Sequence, residues 1–166
     1  MVDKQVVDNW INKADEDMVF AKAILEDNLE FYLQICFSLH QATEKYLKAY
    51  IMAMGLEFEK IHDLTKLLQI CAQKDAGFNN FSDAAKLLNP FYIGTRYPDL
   101  EVRVSKSQTE NVLKLAEQIA AFVKEKIEAV EGEVVEEDPS AHSNDSGQAS
   151  SPQQDSGQAG QGKKEE

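Results

Sequence analysis

The chain has 166 residues, with 17 basic and 29 acidic side chains and a formal net charge of −12. This length fits one domain and a short appendage. The acidic balance disfavours non-specific binding to nucleic acid or to anionic lipid, which depends on Lys and Arg. No apolar run approaches the roughly 18 residues of a membrane span, and the charged N-terminus does not resemble a signal peptide. We therefore expect a soluble, cytoplasmic protein without a membrane partner.

Two long predicted helices open the chain. Residues 4–27 carry apolar side chains at intervals of three or four, which is the spacing of a helix that packs along one side. Residues 31–54 are apolar around most of the circumference, which indicates a central helix, and Gly55 is suited to a left-handed C-cap. Cys36 and Cys71 fall in apolar helical patterns, so both are predicted to be reduced core residues.

Two shorter helices follow. Asp63 is predicted to cap the third helix, and Ser82 the fourth. The fourth helix covers residues 83–89, and Pro90 is expected to limit it. The next stretch, residues 91–99, contains Gly and Pro and is predicted to be irregular.

The last predicted helix marks the end of the folded part. A Ser-x-x-Glu pattern at residues 107–110 predicts its start, and its apolar stripe ends at Gly132. The residues beyond are mostly Ser, Gln, Gly, Asp and Glu, which bury too little apolar surface to offset their ordering entropy. We predict a helical domain over residues 1–131 and a disordered, acidic, low-complexity tail over residues 132–166. The fold class is all-α, an antiparallel bundle of four to five helices.

A narrow polar face runs along the central helix. At about 100° per residue, five polar side chains share an arc of roughly 140°: His40, Gln41, Glu44, Lys45 and Lys48. One interpretation is a nucleotide or phosphate pocket. The other is a network of ion pairs and hydrogen bonds between helices, which satisfies a buried polar row without any ligand.

Three motifs together resemble the HEPN (higher eukaryotes and prokaryotes nucleotide-binding) domain family. They are FSLHQATEKYLKA at residues 37–49, His62-Asp63-Leu64 and Arg96-Tyr97-Pro98, in that order. The likeness covers residues from about 5 to 130. It implies a bundle of four or five helices, related to nucleotidyltransferase substrate-binding helical domains, that forms a homodimer. It also implies a role beside a minimal nucleotidyltransferase, in toxin–antitoxin or nucleotide-handling systems.

Some members of the family that these motifs resemble are metal-independent ribonucleases, in which about four to six residues separate an Arg from a following His. Neither Arg96 nor Arg103 is followed by a His at that distance. The resemblance therefore supports the HEPN fold but not ribonuclease activity, because no group at the place of the missing His titrates near neutrality. The alternative is a degenerate ribonuclease in which His62, paired with Arg96, or His40 replaces the missing His.

The main prediction is a non-catalytic, homodimeric binding module that engages a nucleotide, a nucleotidyltransferase partner or both. Its cleft would combine the five residues of the polar face with three residues of the loop region: Arg96, Tyr97 and Arg103. No catalytic residue is expected, because the ribonuclease spacing of Arg and His is missing. No metal is expected, because the His and Cys residues lack ligand spacing, and no cofactor is expected either. A structural subunit that covers a partner's active site is a third possibility, since an acidic surface complements the same partner sites as nucleic acid.

Overall fold

The computed structural model describes residues 3–57, 60–95, 97 and 102–136. These ranges contain five α-helices and one short 3₁₀ helix between the third and fourth. The helices are α1 (Lys4–Glu26), α2 (Tyr32–Ala53), α3 (Leu64–Cys71), the 3₁₀ helix (Ala76–Phe81), α4 (Ser82–Gly94) and α5 (Lys106–Glu136). The described ranges contain no strand. The predicted all-α bundle of four to five helices is therefore confirmed.

Helix α2 lies at the centre of the bundle and contacts α1, α3, α4 and α5. Its side chains are buried around most of its circumference, as a central helix requires. Lys45 of α2 pairs with Asp17 of α1, whereas Lys48, one turn later, lies over the ring of Trp10. Because later positions on α2 meet earlier positions on α1, the two helices are antiparallel.

Three ion pairs join α1 to α5 along their length. Their N···O distances are 2.5–2.6 Å, and the pairs are Lys4 with Glu131, Lys124 with Asp15, and Lys22 with Glu117. The order of these pairs shows that α1 and α5 are also antiparallel. All six side chains are at least 39% exposed, so each pair adds little to stability.

Several local predictions are confirmed. Asp63 caps α3 by accepting a hydrogen bond from Thr65 N at 2.9 Å. Gly55 adopts a φ of 63° just after α2, the left-handed conformation that favours glycine. Cys36 and Cys71 are free and buried, and burial raises their thiol pKa values to about 11 and about 12.

Pro90 does not end α4, which continues to Gly94. The prediction of irregular structure directly after Pro90 was therefore wrong for the last turn of this helix. Phe91 and Gly94 are buried, and a Cβ on Gly94 would lie 2.7 Å from Val102. This burial offsets the hydrogen bond that proline cannot donate. Pro90 itself is exposed, so water can reach the carbonyl left without a donor.

The segment between α3 and α4 forms a 3₁₀ helix that the sequence pattern did not predict. Its Phe78 is fully buried, with its ring centre 4.5 Å from that of Tyr50. Ser82, the predicted N-cap of α4, is instead the first residue of that helix, and its Oγ donates to Asn79 O at 2.8 Å. The predicted cap was wrong, because the Ser82 hydroxyl bonds back to the 3₁₀ helix and α4 has no side-chain cap.

Helix α5 begins at Lys106, one residue before the predicted Ser-x-x-Glu pattern at residues 107–110. Its capping box starts at Ser105 instead of Ser107. Gln108 N donates to Ser105 Oγ at 3.2 Å, and Ser105 N donates to Gln108 Oε1 at 2.9 Å, which is a reciprocal capping box. The patterns Ser-x-x-Gln at residues 105–108 and Ser-x-x-Glu at residues 107–110 overlap. In the earlier register Thr109 N donates to Ser105 O at 3.0 Å, and the Thr109 side chain is fully buried.

The other end of α5 passes through Gly132 and reaches Glu136. The predicted boundary between residues 131 and 132 thus falls inside a helix. Residues 137–166 lie outside the described ranges, so the division into a domain and a tail stays a prediction. Within the described part of the chain, no helix combines the length and apolar character needed to cross a membrane.

Candidate functional site

A buried ion pair and three ring side chains meet where α2, α4 and the residue before the α3 cap come together. This group, called here the His62 cluster, consists of His40, Glu44, Lys48, His62 and Tyr92. Three members lie on α2, within the polar face recognised in the sequence. His62 immediately precedes the Asp63 cap, and Tyr92 lies on the turn of α4 after Pro90.

Glu44 is the buried anion of the cluster. Its side chain is 7% exposed, and it accepts a hydrogen bond from Lys48 Nζ at 2.7 Å. Its two oxygens lie 3.0 and 3.1 Å from Nδ1 of His62. A carboxylate paired with an ammonium group only accepts hydrogen bonds, so Nδ1 carries a proton and donates it. Lys48 Nζ also lies 5.9 Å from the centre of the Trp10 ring.

The His62 side chain is 48% exposed, although its ring is held on two sides. Glu44 fixes Nδ1, and the ring stacks on Tyr92 with a centroid distance of 4.8 Å and an interplanar angle of 16°. Nε2 is the ring nitrogen that Glu44 does not engage. His62 therefore offers a directional polar group in a fixed orientation at the edge of the cluster.

His40 also contacts Tyr92, with its ring centre 5.3 Å from that of the tyrosine. Its side chain is fully buried, and burial lowers its pKa to about 4, although the nearby Glu44 raises it in part. Neither ring nitrogen has a hydrogen-bond partner of ordinary geometry among the described residues. Contacts with the backbone of His62 and the side chain of Asn89 raise the pKa of His40, but by less than burial lowers it. His40 is therefore neutral near pH 7.

Asn89 joins α4 to the start of α3 beside the cluster. Its Oδ1 accepts from Leu64 N at 2.9 Å, and its Nδ2 donates to Asp63 Oδ1 at 2.9 Å and to Thr65 Oγ1 at 3.1 Å. Burial raises the pKa of Asp63, but hydrogen bonds from Asn89 and from the α3 backbone outweigh it and lower the pKa overall. Both amide hydrogens of Asn89 are thus engaged, which explains why it makes no regular bond to His40.

Comparison with known proteins identifies the family. The family model of the HEPN domain matches residues 7–126, which is well over half of the chain. The chain belongs to the HEPN domain family. All five members of the His62 cluster lie within the matched range. A search of curated proteins finds no match.

The HEPN chain is also similar to solved structures. The protein TT1696 from Thermus thermophilus superposes with a TM-score of 0.65 and 31% identity, covering 72% of this chain and 97% of that one. An archaeal HEPN homologue, ST0689, superposes with a TM-score of 0.59 and 24% identity, covering 73% and 97%. The predicted family is confirmed, and the second likeness supports the fold alone.

The predicted cleft of the HEPN chain is only partly assembled as one site. His40, Glu44 and Lys48 come together, but Lys45 forms an ion pair with α1. Gln41 is half-buried, and its Nε2 has no hydrogen-bond partner in the described ranges.

The loop members of the predicted cleft are Arg96, Tyr97 and Arg103. Tyr97 is 58% exposed, and Arg103 is exposed on the segment before α5. Arg96, the remaining member, lies outside the described residues. Among the described residues, no group of three His, Cys, Asp or Glu side chains is placed to hold a metal ion.

Two residues of the site were not expected from the sequence. Tyr92 was assigned to an irregular segment, and Asn89 to the end of a helix. The continued helix places them three residues apart on neighbouring turns, so that one stacks on His62 and the other binds the Asp63 cap. The spacing of Asn89 and Tyr92 was the available signal, and it has meaning only if α4 passes through Pro90.

Proposed function

We propose that this HEPN chain is a homodimeric binding module without catalysis of its own. The His62 cluster engages a nucleotide, a nucleotidyltransferase partner or both, in a nucleotide-handling or toxin–antitoxin-like system. One observation carries the proposal: a half-exposed imidazole is held in place by a buried Glu44–Lys48 ion pair and by stacking on Tyr92.

The fixed orientation of His62 suits ligand binding. A side chain that is already ordered loses little entropy when a ligand contacts it. Because Nδ1 donates to Glu44, Nε2 accepts a hydrogen bond when the ring is neutral and donates one when the ring is protonated. A protonated imidazole and a phosphate oxygen form a charge-assisted hydrogen bond, which is the contact we assign to a nucleotide.

The surroundings of His62 favour binding over catalysis. Metal-independent cleavage of a phosphodiester needs one group to remove a proton and another to supply one. His40 is a poor second group, since it is fully buried and its pKa is lowered to about 4. The lysines of the polar face are poor substitutes, because Lys48 pairs with Glu44 and Lys45 with Asp17.

Equilibrium binding of AMP and ATP to the full chain tests this proposal. We expect His62→Ala to weaken nucleotide binding by about tenfold or more, the usual effect of losing a hydrogen bond to a charged group. Lys66→Ala is the matched control, since Lys66 is an exposed side chain near the start of α3 outside the His62 cluster. Equal affinities of wild type and His62→Ala for both nucleotides would contradict the assigned contact.

The nucleotidyltransferase partner is tested separately from nucleotide binding. Co-expression with a minimal nucleotidyltransferase encoded beside this chain, followed by native mass spectrometry, should recover a stoichiometric complex. His62→Ala should lower its yield if the cluster faces the partner, and Lys66→Ala should not. A complex that forms equally with both variants would place the partner elsewhere.

A degenerate ribonuclease is the second candidate, favoured by the Glu44–His62 contact. A carboxylate that orients an imidazole is also the arrangement of a general base and its positioning group. This candidate predicts cleavage of single-stranded RNA in the presence of EDTA, lost in His62→Ala and reduced in Glu44→Gln. The binding module predicts no cleavage by the wild-type chain above that of His62→Ala.

A further inference from the structure

A surface pocket lies beside the His62 cluster, where α2 packs on α1. Its volume is about 380 Å³, which is within the range of small-molecule sites. Four of the lining residues come from one face of α1, where they are spaced three or four residues apart, and the fifth comes from α2. This pocket, called here the Trp10 pocket, is lined by Val6, Asn9, Trp10, Lys13 and Lys45.

Trp10, the one tryptophan of the chain, supplies the aromatic wall of the pocket. Its side chain packs against the hydrophobic core and is still partly exposed. Nζ of the buried Lys48 lies 5.9 Å from the ring centre, so the ring is held from the core side. A ring that is already held in place provides a stacking surface at low entropic cost. A nucleotide base suits such a surface, because every base has a flat π face.

Lys48 connects the Trp10 pocket to the His62 cluster. Its Nζ lies near the Trp10 ring and also donates to Glu44 at 2.7 Å. Glu44 in turn lies 3.0 Å from His62 Nδ1, so the rings of Trp10 and His62 flank one buried ion pair. Lys45 of the pocket directly follows Glu44 on α2, which places pocket and cluster at the same level of that helix. The ribose and phosphates of one nucleotide can span this ion pair.

The charges of the Trp10 pocket favour a base over a phosphate. Lys13 is paired with Glu16 at 2.6 Å, and Lys45 is paired with Asp17. Cations that are already paired with carboxylates attract a phosphate only weakly, because the charges of each pair largely cancel. An uncharged aromatic ring loses nothing by this neutrality. The pocket therefore complements the base, while the phosphate contact stays with His62.

Asn9 adds a polar contact suited to the edge of a base. The side chain is exposed at the pocket, and its Oδ1 accepts a hydrogen bond from Gln5 Nε2 at 3.1 Å. This bond fixes the amide so that Nδ2, which is a donor, is directed away from Gln5. All bases carry nitrogen or oxygen acceptors on their edges, and an amide donor can bind them.

Another exposed aromatic side chain of α1, Phe20, lines a different cavity. That cavity is lined by Asn12, Asp15, Glu16, Val19 and Phe20. None of these lining residues belongs to the Trp10 pocket or to the His62 cluster. A nucleotide held by His62 would therefore not place its base there, and Phe20 is the matched control for Trp10.

We propose that the Trp10 pocket is the base subsite for the nucleotide whose phosphate His62 contacts, with the base stacked on the exposed part of the Trp10 ring. The inference rests on the proposed function and adds a second, chemically different contact to it. It requires a ligand with an aromatic base, so a sugar phosphate alone binds without occupying the pocket. The two contacts involve different side chains and can be lost independently.

The fluorescence of the full chain tests the base subsite directly, since Trp10 is its one tryptophan. Excitation at the red edge of the tryptophan band, where adenine does not absorb, avoids an inner-filter effect, and N-acetyltryptophanamide corrects for collisional quenching. We expect AMP to quench the emission saturably, with the same Kd as in calorimetry. Adenosine should quench it in wild type and in His62→Ala. Ribose phosphate, which is AMP without its base, should leave the emission unchanged.

The outcomes separate the base subsite from the proposed function. If calorimetry shows AMP binding that His62→Ala weakens, but the emission stays constant, the base subsite is overturned and the His62 contact stands. A ribose phosphate titration that quenches as much as AMP would also overturn the base subsite, because no base is then present to stack. If AMP and adenosine quench, but His62→Ala binds AMP as tightly as wild type, the base subsite stands and the His62 contact fails. If neither AMP nor adenosine binds, both fail.

Substitution of Trp10 gives an independent measurement. We expect Trp10→Leu to weaken AMP binding about tenfold, a typical effect of losing a stacked base, and to leave the affinity for ribose phosphate unchanged. Trp10→Phe, which keeps a flat ring, should restore most of the affinity. Phe20→Leu, at a 52% exposed aromatic position, should bind AMP as wild type does. Circular dichroism and a thermal melt establish that each variant is folded. Equal AMP affinities of Trp10→Leu and Phe20→Leu would overturn the proposal.

Discussion

Glu44 carries a negative charge inside the bundle, and two proton-donating side chains contact it. Lys48 binds it from the next turn of α2, and His62 approaches from the segment before α3. Removing two charges from water is costly, so such a pair adds little net stability compared with apolar residues. Removing one partner is more damaging, because the other charge stays buried without compensation.

This asymmetry predicts the effect of Lys48→Met. The substitution leaves Glu44 with His62 alone and should lower the free energy of unfolding by about 3 kcal/mol. The double variant Glu44→Gln/Lys48→Met should lose less than the single variant, because no charge is then buried. Urea unfolding measures both, with the exposed Lys66→Met as control. A Lys48→Met variant as stable as the control would contradict the role assigned to this pair.

The neutral state of His40 predicts a pH-dependent stability. Its pKa is about 4 in the folded chain, against an ordinary value of 6.5. Below pH 6.5 the unfolded chain binds a proton at His40 that the folded chain does not. The contribution of His40 therefore lowers the stability as the pH falls from 6.5 to 4, and this contribution is constant above pH 6.5. The difference corresponds to about 3 kcal/mol.

His40→Leu isolates this contribution, because all other titrating groups are shared with wild type. Wild type should lose about 3 kcal/mol more than His40→Leu between pH 7.5 and pH 4 in urea unfolding. If the two proteins show the same dependence on pH over this range, His40 titrates normally and is not buried as described.

At the scale of single elements, the start of α5 depends on a choice between two overlapping capping patterns. Ser105 and Gln108 form the capping box, whereas Ser107 lies within the first turn and is exposed. Both serines precede a Glu or Gln by three residues, so local chemistry alone does not separate them. The backbone settles the register, because Thr109 N donates to Ser105 O at 3.0 Å, the first i to i−4 bond of a helix that follows Ser105.

Paired alanine substitutions distinguish the two registers. Ser105→Ala removes the acceptor for Gln108 N and should lower the free energy of unfolding by about 1 kcal/mol, a typical value for an N-cap. Ser107→Ala should change it by less than about 0.5 kcal/mol, as at other exposed positions. Urea unfolding of both variants measures the difference. The opposite ranking would place the helix start at the later pattern.

The elements that the sequence predicted well are those fixed by local chemistry. Asp63 and Gly55 each act through their own backbone surroundings, so composition and spacing were sufficient. The end of α4 was not predictable in this way. Pro90 is a local signal to stop, but Phe91 and Gly94 are buried against other parts of the chain, and that packing extends the helix.

At the scale of the whole molecule, the candidate site depends on how helices pack. The polar row on α2 was visible in the sequence, and so was the His62-Asp63 motif. Their meeting was not, since Glu44 and His62 are 18 residues apart and Tyr92 comes from a third element. Charge counting also overestimated the basic character of the cleft, because carboxylates on α1 and α2 neutralise Lys45 and Lys48.

The most direct test of the central proposal is to observe the histidine rings during ligand addition. The chain contains three histidines, so ring resonances of a ¹³C-histidine-labelled sample are readily assigned with single substitutions. On titration with AMP or ATP, we expect the His62 resonance to shift and saturate, while the buried His40 and the tail residue His142 change far less. A His62 resonance that stays fixed at saturating nucleotide, or shifts only as much as that of His142, would contradict the proposal that His62 contacts the ligand.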